Sequence, residues 1–319
     1  MMNFCTLFDS YYLPKGLILY NSLCEVCDDF HLYVFAFDDQ CYQTLVDLQL
    51  QYMTVVSLKE FETEKLLEVK PTRTRAEYCW TCGPSTIWYS IHHFCLEHCT
   101  YLDADLMFFN SPKIAFDEIE KENASIALTK HFCNSENLAG QFCVQFVYFK
   151  NDENGIQALK WWKDSCIDWC YARYENGKFG DQKYLDYFPS KFANVHILKH
   201  RGVGIAPWNM NLYTYPDTDT LQYDGQKYPI VFFHYHGTKI DIHHQKLVFH
   251  PITYDIPKVV EDCFFVPFLK NYKQVCNQYL HIDVTGFIIK KRSWHQQLLF
   301  FMKRILRNNQ VVRFIYNHF

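Results

Sequence analysis

The chain has 319 residues, 49% of them apolar and 21% charged, an ordinary globular balance with room for one large α/β domain or two small ones. Its formal net charge of −4 excludes a chain-wide basic surface for nucleic acid. The aromatic share is high at 18%; most rings belong to a core, and a few suit the flat faces of sugars or bases.

The opening MMNFCTLFDSYY lacks the basic and apolar regions of a secretory signal, and no apolar run approaches the ~18 residues of a membrane span. The 14 Cys lie in apolar contexts and read as reduced thiols of a cytosolic protein. Two C-x-x-C pairs, Cys24/Cys27 and Cys79/Cys82, have the spacing of a structural zinc site. Both sit in helical stretches without a Gly-rich knuckle, which favours packed thiols over zinc.

In chain order, NFCTLF (3–8) reads as a buried strand ended by Asp9, and YYLPKGLILYNSL as a loop followed by a helix. HLYVFAF (31–37) is a second strand, ending in Asp38 and Asp39. CYQTLVDLQL has helical spacing, YMTVVSL (52–58) is a third strand, and 76–94 is a long helix with a kink expected near Gly83-Pro84. CTYLDADLMFF then returns as a strand. Such alternation predicts a mostly parallel sheet with helices on both faces, whose ligands sit at the carboxyl ends of the strands. Asp9 and Asp103 both fall at strand ends, so they are expected to project into that crevice.

The second half is less regular. SIALTK (125–130), FCVQFVYFK (142–150), VHILKH (195–200) and YPIVFFHYHG (228–237) read as strands, and 154–174 as a helix with one aromatic face. Asp181 and Gln182 open a helical pattern. RGVGIAPWNM (201–210) reads as an ordered loop, in which Trp208 either stacks on a sugar or anchors the loop. From Phe287 the chain reads as a basic amphipathic helix, with Trp294, Leu298, Phe301 and Ile305 at helical spacing among Arg292, Lys303, Arg304, Arg307 and Arg313. No acid follows Asp283. That combination suits an anionic bilayer, or a helix packed on the domain with its basic face in solvent. These features divide the chain into a domain over 1–283 and an appendage over 284–319.

The chemistry centres on TYLDADLMFF. Asp103 and Asp105 share one side if the strand stays extended, and can still meet one ion if the chain turns. Paired carboxylates suit a hard divalent cation, and a neutral imidazole from His234 or His236 would shift preference toward Mn2+ over Mg2+. Alone, D-x-D more often describes a polar strand end than a metal site.

The ordered set TLFDSYYLPKGLILYNSL, TRTRAEYCW, YLDADLMFF, GQFCVQFVYFKN, GDQKYLD and HYHG resembles the nucleotide-diphospho-sugar transferases of the GT-A fold. It is most similar to the glycogenin-like and lipopolysaccharide galactosyltransferase-like group and to transferases of bacterial capsule and O-antigen clusters. The resemblance spans residues 3–239. It implies a GT-A-type α/β fold and a metal-dependent, retaining transfer of a sugar from a UDP-linked donor to a glycan or lipid-linked acceptor. It also implies that Thr6, Asp9 and Tyr12 hold the base and ribose, that Arg75 contacts the diphosphate or the donor sugar, and that Lys239 steadies the leaving diphosphate. Asp103, Asp105 and His234 would bind Mn2+ (or Mg2+), Asp103 lying also near the ribose. Gln145 would face the donor sugar, where the reading of the 201–210 loop also places Trp208, and Asp181 and Gln182 the anomeric carbon. GQFCVQF departs from the group's Asn-Ala-Gly-Val stretch, and HYHGTKI lacks its Lys-Pro-Trp ending.

Two other classes fit part of the pattern. A sugar nucleotidyltransferase needs a Gly-rich basic loop after the first strand, which TLFDSYYLPKG lacks. A non-catalytic metal- or partner-binding protein predicts tight zinc and no nucleotide binding. The expected setting is cytoplasmic, peripheral on the inner face of the cell membrane.

Overall fold

The computed structural model describes residues 1–132, 139–251 and 254–290. The described residues form two compact units, one from Met1–His236 and Pro257–Ile282, the other from Gly237–Ile256 and 283–290.

The first unit begins with β1 (Met2–Phe8), α1 (Leu13–Val26), β2 (Phe30–Ala36), α2 (Asp39–Leu48) and β3 (Met53–Ser57). Two short helices, α3 (Leu58–Phe61) and α4 (Glu64–Val69), lead to α5 (Arg75–His93) and β4 (His98–Leu102). Then come β5 (Leu106–Phe108), α6 (Lys113–Lys121), β6 (Ile126–Lys130), β7 (Phe142–Lys150) and α7 (Glu153–Asp168). A 3-10 turn over Gln182–Tyr187 runs into α8 (Phe188–Lys191) and β8 (Val195–Ile197). The hairpin of β9 (Thr220–Tyr223) and β10 (Gln226–Pro229) precedes β11 (Phe232–His234). The unit closes with α9 (Lys258–Val260), a π-helical turn over Glu261–Phe265, and α10 (Val266–Gln278).

Seven strands form one sheet in the order β3-β2-β1-β4-β7-β6-β8. The first four are mutually parallel, and β7 runs antiparallel to both β4 and β6. Central strands covered on both faces need apolar side chains on both, and β1 is buried from Asn3 to Phe8. Chain order reverses at β1: β2 lies on one side of it and β4 on the other. The carboxyl ends of β1 and β4 therefore flank the switch-point crevice where open α/β sheets take their ligands.

Local signals fix the helix starts. The Asp38 carboxylate caps α2 by accepting from Cys41 N–H, and Asp152 caps α7 through Gly155 N–H. Thr74 and Glu77 form a reciprocal capping box at α5. The helix continues through Pro84, which supplies no N–H to the preceding turn.

Four expectations need correction. CTYLDADLMFF is two strands, β4 and β5, with Asp103–Asp105 in the turn between them. YPIVFFHYHG is also broken: Tyr228 pairs with Leu221 in the hairpin, while Phe232–His234 pairs with β5. The helix expected over 154–174 ends at Asp168. Gly286–Ile289 is a strand, β14, where a helix was expected from Phe287. The remainder of that basic stretch, 291–319, lies outside the described residues.

The second unit holds β12 (Thr238–His243) and β13 (Lys246–Pro251), with β14 parallel to β13. No helix among the described residues is long and apolar enough to cross a membrane.

Candidate metal and nucleotide site

The turn after β4 presents Asp103 and Asp105, and the antiparallel β5–β11 pair brings His234 opposite Leu106. Tyr235 N–H donates to the Asp105 carbonyl at 2.9 Å, which ties this turn to the end of β11. His234 Nε2 then lies 3.0 Å from Asp105 Oδ1 and 3.6 Å from Asp103 Oδ2. An octahedral ion with bonds of ~2.1 Å sets neighbouring donors ~3 Å apart, which matches the His234–Asp105 separation, and carboxylates with an imidazole suit a Mn2+- or Mg2+-type cation.

A second nitrogen fixes the ring. His234 Nδ1 lies 2.8 Å from Gln145 Oε1. Because an amide oxygen only accepts, Nδ1 carries a proton in either charge state, and Nε2 is turned to the carboxylates. Gln145 is fully buried. Its carbonyl also accepts from Asp103 N–H at 3.3 Å, so one residue of β7 touches two of the three donors. Gly204, at φ +97°, backs the amide; a Cβ there would stand 2.8 Å from Gln145 Nε2 and 2.6 Å from Thr129 Cγ2. Only glycine fits that backbone and that approach.

The charges are graded. Burial works against ionised Asp105, but His234 and then Lys15 outweigh it and hold its pKa well below the usual carboxylate range. The Lys15 ammonium stands 3.5 Å from Asp105 Oδ2, both side chains buried. Burial pushes Asp103 up to about 6, with Asp105 adding to the rise and His234 opposing it. Burial disfavours charged His234, yet the two carboxylates keep its pKa above the ordinary value. Burial and the charge of Asp103 push Asp181 up to about 8. Burial brings His236 down to about 4, with His234 adding to the fall.

At the end of β1, Asp9 Oδ1 accepts from Tyr12 N–H at 3.0 Å and Asp9 Oδ2 pairs with Arg75 Nε at 2.8 Å. Arg75 also reaches Asp38 at 3.3 Å. The Tyr12 ring lies 4.3 Å from the Lys15 ammonium, and Asp105 and burial raise its hydroxyl pKa. Thr6 is fully buried in β1, its hydroxyl without a partner among the described residues. Asp181 is buried, its carbonyl accepting from Trp162 Nε1 at 2.9 Å, and Gln182 Nε2 donates to the Ala139 carbonyl at 3.2 Å. The Trp208 ring packs edge-on against His234 and His236, with centroids 5.3 and 5.5 Å away. Its indole N–H donates to the His131 carbonyl, which anchors the loop. Lys239 belongs to the second unit, on β12, where it pairs with Asp241 at 3.2 Å.

The structure thus gathers Asp103, Asp105, His234 and Gln145 at one point, and Asp9, Tyr12 and Arg75 at the end of β1. Two residues of the cluster were not singled out from sequence. Lys15 lies unremarked within YYLPKGLILYNSL, which reads only as a loop followed by a helix. Cys143 reads as one packed thiol among many, although its i, i+2 relation to Gln145 puts both on one face of β7. The C-x-x-C cysteines differ in burial: Cys24 is exposed, Cys79 half-buried, and Cys27 and Cys82 buried. Among the described residues the group of three able to hold a metal is Asp103, Cys143 and His234.

The chain is 32% identical over 243 residues to the uncharacterized protein YfnD of Bacillus subtilis, an overlap of 74% of this chain and 77% of YfnD. It is 30% identical over 273 residues to YfnF of the same organism, covering 81% of this chain and 89% of YfnF. The chain belongs to the family of YfnD and YfnF. No family profile matches it. Among solved structures, the galactosyltransferase LgtC, in complex with donor and acceptor sugar analogues, superposes with a TM-score of 0.54 at 11% identity, over 86% of this chain and 96% of that one. An active-site mutant of LgtC gives a TM-score of 0.50 at the same identity, over 86% and 95%. The architecture of this family member is therefore the GT-A fold of the glycosyltransferases, as the ordered motifs led one to expect.

Proposed function

We propose that the chain is a metal-dependent glycosyltransferase that moves a sugar from a UDP-linked donor to a hydroxyl of a glycan or lipid-linked acceptor, with retention at the anomeric carbon. The observation that carries the reading is the placement of His234 beside Asp103 and Asp105 at the switch point of the sheet, within a GT-A fold. Asp103, Asp105 and His234 would hold Mn2+ or Mg2+, which when bound neutralises charge on the departing diphosphate.

The chain's own residues supply the rest. Asp9 and Tyr12, at the end of β1 beside Thr6, bind base and ribose. Arg75 lies across the same strand end and adds fixed positive charge toward the diphosphate. Lys15 is a second cation at this point, and Lys239 is assigned to the diphosphate from the motif. Gln182 commits the donating end of its amide to Ala139, so its contact to the developing oxocarbenium-like carbon is made by the oxygen. Asp181 lies beside it, and Trp208 stacks near the donor sugar. Gln145 acts one step back, as the residue that orients His234.

Calorimetric titration of UDP tests the reading. Binding is expected with Mn2+, absent with EDTA, and lost in Asp105→Asn, whose circular dichroism should match the parent. UDP binding unchanged by EDTA and by Asp105→Asn would remove the basis for this site. UDP-sugar turnover is expected to disappear in the same variant.

The cations of residues 290–313 support peripheral attachment to an anionic membrane. A chain ending at Lys290 is expected to lose cosedimentation with anionic liposomes and to keep UDP binding. Equal cosedimentation of both chains would dispose of the anchor.

A further inference from the structure

We infer that Cys143 gives the site a second, thiophilic mode of metal binding that excludes the first. A carboxylate oxygen of Asp103, the sulfur of Cys143 and a ring nitrogen of His234 all lie within 4.8 Å of one another. Cys143 is 3% exposed, so this thiol faces buried donors rather than solvent. Tetrahedral zinc, with bonds of ~2.0–2.3 Å, sets its donors ~3.3–3.8 Å apart. His234 and Asp103 already stand at 3.6 Å. The third donor needs a side-chain adjustment of at most about 1–1.5 Å to complete three corners of the tetrahedron. Solvent or a substrate oxygen takes the fourth.

Two donors are therefore shared and two compete. Asp105 lies on one side of His234 and completes an oxygen-rich set for a hard ion. Cys143 completes a sulfur-containing set with the same Asp103 and His234, which selects Zn2+, Cd2+ or Co2+ over Mg2+ or Mn2+. One ion occupies the shared donors at a time. On binding, the metal–sulfur bond replaces the S–H bond of Cys143, and the proton passes to the buffer. No oxidation is involved. A thiophilic ion is thus expected to block the hard-ion site, making the protein sensitive to free zinc.

The inference shares its donors with the proposed transferase site, but its readout does not depend on sugar transfer. The experiment is titration of Co2+ into the full chain, followed by absorption spectroscopy. A thiolate-to-cobalt charge-transfer band in the near ultraviolet is expected, lost in Cys143→Ser and in His234→Ala, and bleached by Zn2+. Mn2+ binding, read by electron paramagnetic resonance, is expected to persist in Cys143→Ser, and Zn2+ is expected to displace Mn2+ from the parent chain at a concentration at least about tenfold lower than from that variant. Should Cys143→Ser fold poorly, Cys143→Ala serves in its place, with circular dichroism confirming the fold. A cobalt band that survives in either folded Cys143 variant, or zinc that displaces Mn2+ equally well from them, overturns the proposal. Loss of Mn2+ binding by the parent chain itself would instead count against the hard-ion site.

Discussion

Gln145 touches His234 through one hydrogen bond, yet it decides which ring nitrogen faces the carboxylates. Gln145→Leu removes the acceptor for Nδ1–H and is expected to weaken Mn2+ binding about 10–100-fold. Gln145→Glu keeps an acceptor and is expected to restore most of that affinity; titration calorimetry separates the two. Protons compete with the metal at His234, whose pKa lies above the ordinary imidazole value, and then at Asp103, so Mn2+ affinity is expected to begin falling above that ordinary value and to fall further as pH drops through about 6. Asp181 has the opposite consequence for folding. Its pKa is raised to about 8 in the folded chain, so the native state binds more protons than the unfolded state between the ordinary carboxyl range and pH 8. Stability contributed by this group falls as pH rises across that window. Asp181→Asn is thus expected to raise the melting temperature of metal-free protein at pH 8.5 by a few degrees while abolishing turnover; equal melting of both proteins would count against a buried, costly carboxylate. At this scale Asp9, Asp103, Asp105 and His234 were legible because each sits in a short motif at a strand end. Lys15 and Cys143 were not, because their contacts to Asp105 and His234 come from strand order and register, which no local pattern carries.

Among the elements, the pair of β5 and β11 matters more than its three-residue length suggests. It carries no helix and lies outside the main sheet, yet it delivers the histidine. Sequence reading found both apolar runs and missed the breaks within them. A run such as YPIVFFHYHG carries no periodic signal to show where a chain leaves a hairpin and joins another strand. The parallel strands were easier: β1, β2 and β3 lie within a residue or so of their expected limits, because turn residues and acids bound each run. The join between β1 and α1 is tight. A Cβ on Gly16 would meet the Phe8 ring at 2.4 Å, and Phe8 is buried. Gly16→Ala is expected to destabilise the chain by roughly 1–3 kcal/mol, read as a lower urea midpoint. An unchanged midpoint would mean that the ring moves aside freely.

For the whole molecule, the ordered motifs carried the GT-A architecture of the first unit, since order and spacing record the topology. The second unit was not legible in that way. It joins Gly237–Ile256 to the chain after Asp283, and its sheet is closed by β14. Backbone bonds from Thr285 N–H to the Gln245 carbonyl and from Lys290 N–H to the Phe249 carbonyl bracket that pairing. A chain ending at Asp283 is expected to lose amide protection over Lys246–Phe249, whereas one ending at Lys290 keeps it; hydrogen exchange distinguishes them. The pairing of Leu106 with His234 also has a bearing on biosynthesis. The carboxylates of the D-x-D turn leave the ribosome long before the histidine does. A nascent chain can lay down β1 to β4 while the proposed cation site still lacks its histidine. On the proposed reading, the three donors are complete only after β11 is made, and a product truncated before His234 would carry the carboxylates without the imidazole.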